Sequence, residues 1–418
     1  MDVFGRSNLL LRRSLGVIVL LCVTLIIVTA CGIGGTTTAK NTGPIKIGIS
    51  LSLSGDFAAD GQAFQQGYQL WADKVNASGG LLGRQVTLDI VNDASSDTQV
   101  VTNYQKLITI DKCDLLFGPF STKLTKPAAA IANRYGFALV EGAGGGPSVF
   151  TQGLNNVFDV SLPVANNLVS FTQLILSLPA NERPQTAAYA TQDDPFTQPQ
   201  IDLAKQVLEQ AGIKTVSYTV YPAETTDFTP IAQKLLSAKG DVVVLGTLLQ
   251  DFTAFATAFK QQHYNPKAIV ATAGPDQGDA FLKAIGGATS AEGIMVPNGW
   301  YAQQTTPGNQ EMVQAFLKKY GGDISAISSD VPEGYSVGQV VQQAVTKVGS
   351  LDQAKLIQVL HNNTFTSVQG PVKFDSTGQN TAIQAFLFQW QGGKLLPVYP
   401  ASSDPNFKTP EYPRPNWP

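Results

Sequence analysis

Two histidines, His263 and His361, and three cysteines, Cys22, Cys31 and Cys113, are all that 418 residues hold of either type. A histidine-based metal centre or a disulfide framework is nearly excluded, and a hydrolytic triad is short of raw material. Charge is scarce too: 14% of residues are Asp, Glu, Lys or Arg, with a net charge of −3. That weak acidic balance offers nucleic acid no basic patch. What is plentiful is apolar, at 43% hydrophobic, which is too much for a disordered chain. The glycines and prolines show no collagen-like period. At roughly 100–200 residues per domain, the length suffices for two domains with their own cores.

Arg6, Arg12 and Arg13 precede an apolar run from Leu15 to Val28, followed by Val28-Thr29-Ala30-Cys31. A positive start, a short apolar stretch and a small residue before the cut define a secretory signal over residues 1–30. The run is shorter than the ~20 residues of a spanning helix. The tetrad resembles a bacterial lipobox, which implies lipid on Cys31 and a body fixed to the outside of the cell membrane. An uncleaved membrane anchor is the alternative, and it also leaves the body outside the cytoplasm. Residues 31–44, rich in Gly and Thr, read as a flexible tether. Cys22 leaves with the signal and Cys31 takes the lipid, so Cys113 remains and no internal disulfide can form. Cys113 precedes Leu115-Leu116-Phe117 and reads as a buried, inert small hydrophobe.

The body alternates strands and helices. Ile45–Ile49 reads as a strand, and Phe64, Gly67, Tyr68, Trp71 and Val75 recur at helical spacing after it. Strand Val86–Val91, helix Thr98–Ile110, strand Leu115–Gly118, helix Leu124–Arg134 and strand Phe137–Val140 continue the series. After a break near Asp159 the alternation restarts with helix Leu168–Leu178 and runs to a strand at Lys267–Ala271. Two such series predict two similar α/β lobes, each with a parallel sheet covered on both faces. A third region is more helical: Gln310–Tyr320, Gly334–Val348 and Leu351–Leu360. Strands at Val372–Phe374 and Ala385–Trp390 follow, with a hairpin turn at Gln391-Gly392-Gly393-Lys394. From Pro397 onward the prolines exclude a helix or a central strand, leaving a tail that is extended over the surface or disordered.

In parallel α/β sheets ligands bind beyond the carboxyl ends of strands. Those ends carry Ser54 and Phe57, Ser121 and Thr122, and the run Glu141-Gly142-Ala143-Gly144-Gly145-Gly146-Pro147. A hydroxyl there caps a helix or, with free N–H groups, holds a carboxylate. Glycines in such number admit a ligand close to the backbone, whereas Pro147 argues against a dinucleotide fingerprint. In the second series the ends carry Asp193-Asp194-Pro195-Phe196, Leu248 and Gly274-Pro275-Asp276. Asp193 and Asp194 fit a solvated turn or helix cap better than a hard-cation site, since spacing places no third oxygen ligand. Asp276 suits either a ligand ammonium or a turn. His263 and His361 read as helix-terminus residues, so no nucleophile–base pair can be nominated.

Ile45-Lys46-Ile47-Gly48 with Leu53-Ser54-Gly55 resembles the opening of extracytoplasmic solute-binding proteins of the leucine/isoleucine/valine-binding type. So do Asn76 through Arg84, Gly118-Pro119-Phe120-Ser121, Thr226-Asp227-Phe228, Ala291-Glu292-Gly293 and Gly370 through Asp375. The likeness runs from Ile45 to Pro400. It implies a type I periplasmic-binding fold, two Rossmann-like lobes joined by three crossovers near Asp159, Asn298 and Gly370. Lobe 1 would hold 45–159 and 299–369, lobe 2 160–298 and 370–400, with 401–418 a Pro-rich tail. It further implies a monomer without cofactor or catalysis that traps a ligand as the lobes close and docks on an ABC permease. Ser121 and Thr122 match the loop that holds a ligand carboxylate, with Gly142, Ala143 and Gly144 beside it. Phe196 and Tyr335 match aromatics, and Asp276 the ammonium's counter-charge. Asp60, where Tyr is common, and Leu248, where an aromatic is frequent, depart from the pattern. Trp300 is either an aromatic wall or a packing residue. The expected ligand is an amino acid with an apolar or aromatic side chain. An aromatic acid or amide, or a sensor or chemoreceptor role, is the alternative.

Overall fold

The computed structural model describes residues 43–324 and 327–418. The signal, Cys31 and most of the tether lie outside the described residues. Everything below concerns the unit Pro44–Pro418.

Five parallel strands form the first sheet: β1 (Ile45–Leu51), β2 (Val86–Asn92), β3 (Leu115–Phe117), β4 (Leu139–Glu141) and β5 (Val157–Asp159), in the order β2-β1-β3-β4-β5. The second sheet holds β6 (Thr186–Gln192), β7 (Lys214–Tyr221), β8 (Val242–Gly246), β9 (Ala268–Ala271) and β10 (Ile294–Asn298), all parallel. An antiparallel hairpin completes it, β13 (Phe386–Gln391) and β14 (Lys394–Tyr399), with β13 against β10. Helices cover both faces of each sheet, which is why the strands read as near-continuous apolar runs. In β8, Val243 and Leu245 enter one core while Val242 and Val244 enter the other, the two-residue alternation of a strand. β3 divides likewise, with Leu115 and Phe117 on one side and Leu116 on the other.

The chain passes between the lobes three times. It leaves the first sheet after Asp159 and leaves the second after Asn298. The third comes later than the expected Gly370. Here β11 (Thr364–Ser367) and β12 (Gly370–Lys373) pair with each other, and Phe365, Val372 and Phe374 fill the first lobe's core. Their apolar side chains hold the segment there, and the chain reaches the second sheet only at Phe386. The crossing segments are tied together by hydrogen bonds: Asp159 N–H to the Gly378 carbonyl at 2.9 Å, and Asn380 Nδ2 to the Val160 carbonyl at 2.9 Å.

The helix Asp330–Val348 lies close against the helix Ala58–Ala77. Glycine permits the approach: a Cβ on Gly338 would sit 2.2 Å from the Trp71 ring, and one on Gly67 2.2 Å from the Val331 carbonyl oxygen. Trp71 is fully buried and its indole donates to Gln342 at 3.1 Å, so the ring cannot step aside. Gly338→Ala should therefore destabilise the protein by about 1–3 kcal/mol through overpacking, read as a lower urea midpoint at unchanged m-value.

Candidate functional site

A narrow cavity of ≈ 70 Å³ opens between the lobes, walled by loops leaving the carboxyl ends of strands in both sheets. The first lobe supplies Phe120 after β3, Gly142, Ala143 and Gly145 after β4, and Asp159 at the end of β5. It also supplies Asp60, and Ser329, Asp330 and Glu333 where the Asp330–Val348 helix begins. The second lobe supplies Phe196 after β6, Leu248 after β8, and Thr272, Ala273 and Asp276 after β9. Two hydrogen bonds cross the gap. Ser329 Oγ donates to Asp276 Oδ2 at 2.9 Å, and the Gln277 amide donates to Asp60 Oδ1.

The walls are acidic, and among the described residues that line them there is no lysine, arginine or histidine. Asp60, Asp159, Asp276, Asp330 and Glu333 line the cavity, and Glu141 stands beside Asp159 as its partner in the β4–β5 ladder. Burial without a cation disfavours the charged form. Burial, with Asp276 beside it, lifts the Asp60 carboxyl to about 7, and burial lifts Asp159 to about 7. Asp330 is pushed well up by burial and then by Asp60 and Asp276, and Glu333 by burial and by Asp330 and Asp159. Glu141 rises by burial and the neighbouring Asp159. Burial raises Asp276 as well, partly offset by Ser329. Asp330 and Glu333 sit in the first turn of their helix, where the positive end of the dipole eases this cost by up to ~1 kcal/mol each.

Backbone donors in four of these loops are already taken. Ala143 N–H donates to Glu141 Oε2 at 2.8 Å, and Gly144 N–H donates to the same oxygen. Phe196 and Thr197 N–H groups donate to Asp194 Oδ1 at 2.8 and 3.1 Å, the helix-cap reading of that acid. Leu248 N–H donates to Asp251 Oδ1 at 2.8 Å, and Gly274 N–H to Asp276 Oδ1 at 2.8 Å. Each loop is closed by the protein's own carboxylate.

Of the residues singled out in the sequence, Gly142, Ala143, Phe196, Leu248 and Asp276 meet in the cavity. The others stand apart from its lining. Ser54 is exposed and accepts from Asn92 Nδ2 at 2.8 Å, and Phe57 packs edge-on to Phe120 from behind. Thr122 is fully buried and accepts from Gly146 N–H at 3.2 Å, and Ser121 is buried at the start of its helix. Gly144 faces Thr125, and Tyr335 lies in the first lobe's core. Trp300 is buried, with its indole donating to Asn309 Oδ1 at 2.7 Å. The acids Asp159, Asp330 and Glu333 were not singled out. Their signal was present, since Asp159 ends a strand and Asp330 and Glu333 share a helix face at i, i+3.

The periplasmic binding protein family matches residues 44–394. The chain belongs to the periplasmic binding protein family. Such proteins hold a small-molecule ligand outside the cytoplasm and work with ABC permeases; this one is a binding protein and not an enzyme. Among its relatives, Leu/Ile/Val-binding protein homolog 7 of Brucella abortus (strain 2308) is 27% identical over 377 residues, covering 87% of this chain and 93% of that protein. The leucine-binding protein LivK of Thermotoga maritima superposes with a TM-score of 0.75 at 17% identity, covering 86% of this chain and 99% of that one. A solute-binding protein of an ABC transporter from R. palustris, in complex with benzoate, gives 0.74 at 21%, covering 87% and 99%. These likenesses establish the type I periplasmic-binding fold for the binding protein.

Proposed function

We propose that this binding protein is the lipid-anchored receptor of an ABC importer, taking an amino acid or related amine-bearing solute into the interlobe cavity by its ammonium group. The observation that carries the reading is the set of buried carboxylates facing the cavity with no cation among them. A buried ammonium needs an acid, and Asp276, bridged across the gap to Ser329, is placed to supply it. The aromatic-acid alternative is weakened by the same walls, since an aromatic acid offers the buried carboxylates no ammonium.

A thermal-shift screen of the body Pro44–Pro418, which contains both lobes' cores, against amino acids, alkylamines, aromatic acids and amides tests this. Amine-bearing solutes should raise the melting temperature, and a binder of the native state must do so. Asp276→Ala should weaken that binding about 30-fold or more, the cost of stripping a buried ammonium of its partner. Stabilisation by aromatic acids alone would overturn the reading. For the anchor, Cys31→Ser should move the expressed chain from the membrane fraction to detergent-free supernatant, and retention on the membrane would favour an uncleaved hydrophobic anchor.

A further inference from the structure

The cavity is walled by two groups of acids and by apolar side chains. In one group Asp60, Asp276 and Asp330 lie close together, with the Ser329 and Gln277 bridges on Asp276 and Asp60. In the other Asp159 pairs with Glu141 across the β4–β5 ladder, and Glu333, one helical turn from Asp330, interacts with both groups. Phe120, Leu162, Val164, Leu248 and Pro297 line the same cavity. Among the described residues Asp159 Oδ2 and Glu141 Oε1, both fully buried, have no hydrogen-bond partner. Leaving such an atom unpaired costs about 1–3 kcal/mol, more when charged. Two orphaned acceptors beside a cavity that already has a bridged acid call for a second donor group on the ligand.

We propose that the solute is a small organic dication, a short alkane diamine without a carboxylate, with one ammonium at Asp60, Asp276 and Asp330 and the other at Asp159, Glu141 and Glu333. This rests on capture of an amine-bearing solute in this cavity and names its class. Size agrees: about 10–15 Å³ holds one water, so ≈ 70 Å³ accommodates roughly half a dozen non-hydrogen atoms. The methylenes would lie on those apolar side chains. A divalent metal ion is a poorer occupant, since among the described residues no group of three acids, cysteines or histidines has the close spacing that metal ligation needs. A zwitterion is disfavoured because its carboxylate would meet the cavity's acids, and N–H groups of the surrounding loops are already bonded to Glu141, Asp194, Asp251 and Asp276.

Affinity should rise with pH. The amines stay charged from pH 6 to 8, at an alkylammonium pKa of ~10.4. The carboxyls that burial has raised must release protons as the dication enters. The groups facing them are the six acids themselves, with Tyr68 and Tyr104 beside Glu141. Among the described residues Lys123 acts on Asp194, next to Asp193, and is not among the groups acting on the orphaned pair.

Calorimetric titration of the body Pro44–Pro418 with 1,4-diaminobutane, in two buffers of different ionisation enthalpy at pH 6 and pH 8, is the test. Butylamine, isoleucine, benzoate and acetamide are run beside it. The expected result is one diamine per chain, net proton release, affinity at least ~10-fold higher at pH 8, and butylamine at least ~10-fold weaker. Glu333→Gln, nearly isosteric, should weaken the diamine at least ~10-fold and reduce the proton release while leaving the melting transition cooperative. Isoleucine binding lost in Asp276→Ala, with no response to diamine, would overturn the dication and leave the amine-capture reading standing. Silence toward every amine would overturn both. Diamine binding without proton release, or untouched by Glu333→Gln, would also overturn the assignment.

Discussion

The ligand-free body should melt at a lower temperature at pH 8 than at pH 5. Asp60 and Asp159 have folded values near 7 against an unfolded 3.8, because burial disfavours their charged forms. Between those values the native state holds protons that the unfolded chain has lost. Stability is therefore full below the unfolded value and declines as pH rises toward the folded one. The two units between pH 5 and the folded value, at ~1.4 kcal/mol each, give about 3 kcal/mol per group if the two acted independently, and coupling among the six acids makes the sum less than additive. For a chain of this length that corresponds to a fall of roughly 5–10 °C. Carboxyls held below their usual range, Asp241 by the Gln185 N–H and Lys267 and Asp375 by Thr377, titrate below pH 5 and do not mask the slope. Asp330→Asn with Glu333→Gln should flatten it and raise the melting temperature at pH 8, at the cost of solute capture. A native site that is less stable than its neutral counterpart is the usual trade of stability for function. A pH-independent melting temperature over this range would show that the acids are not buried together in the free protein.

The other large effect is expected far from the cavity. Trp417→Ala should destabilise the second lobe by about 3–5 kcal/mol, the cost of emptying a buried indole site. Trp417 is 7% exposed, packs into the core built on β8 and β9, and donates from Nε1 to the Tyr264 carbonyl at 2.7 Å. The Arg414 guanidinium lies 4.1 Å from its ring, and the Arg414 N–H bonds the Lys267 carbonyl at 2.8 Å. Burial lowers the guanidinium to about 10, and two of its nitrogens lack partners, so its stacking on Trp417 is its main compensation. Removing residues 414–418 should cost at least as much as the single substitution, read by chemical denaturation. A change under about 1 kcal/mol would mean the tail merely rests on the surface.

That tail marks where sequence reasoning reaches its limit. Its prolines exclude helix and central strand, and the segment is indeed irregular, yet periodicity carries no sign of two side chains whose partners Glu292 and Tyr264 lie 122 and 153 residues away. The two lobes were legible because strands buried on both faces are written as apolar runs separated by amphipathic helices, and the hairpin at Gly392-Gly393 because its glycines take positive φ. The third crossing was not, because Gly370 breaks the pattern while Val372 and Phe374 still pack in the first lobe. In the cavity, Asp276 could be found by its turn and Phe196 and Leu248 by their strand ends. Ser121, Thr122 and Tyr335 stand outside the cavity lining: Ser121 is buried at the start of its helix, Thr122 accepts from Gly146 N–H, and Tyr335 packs in the first lobe's core. The acids of the far wall come from a strand end and a helix start that only the fold brings together.

The central claim, that a solute is gripped between two lobes, is tested most directly by an interlobe distance. Spin labels on cysteines at Gln62 and Lys283, both exposed and on opposite lobes, report it by pulsed electron resonance. The native Cys113 is buried with its thiol pushed up to about 12 and should escape labelling. With the solute that gives the largest thermal shift, the distance distribution should narrow and shorten by more than ~2 Å, and Asp276→Ala should abolish the change. A distribution unmoved at saturating solute would contradict the account.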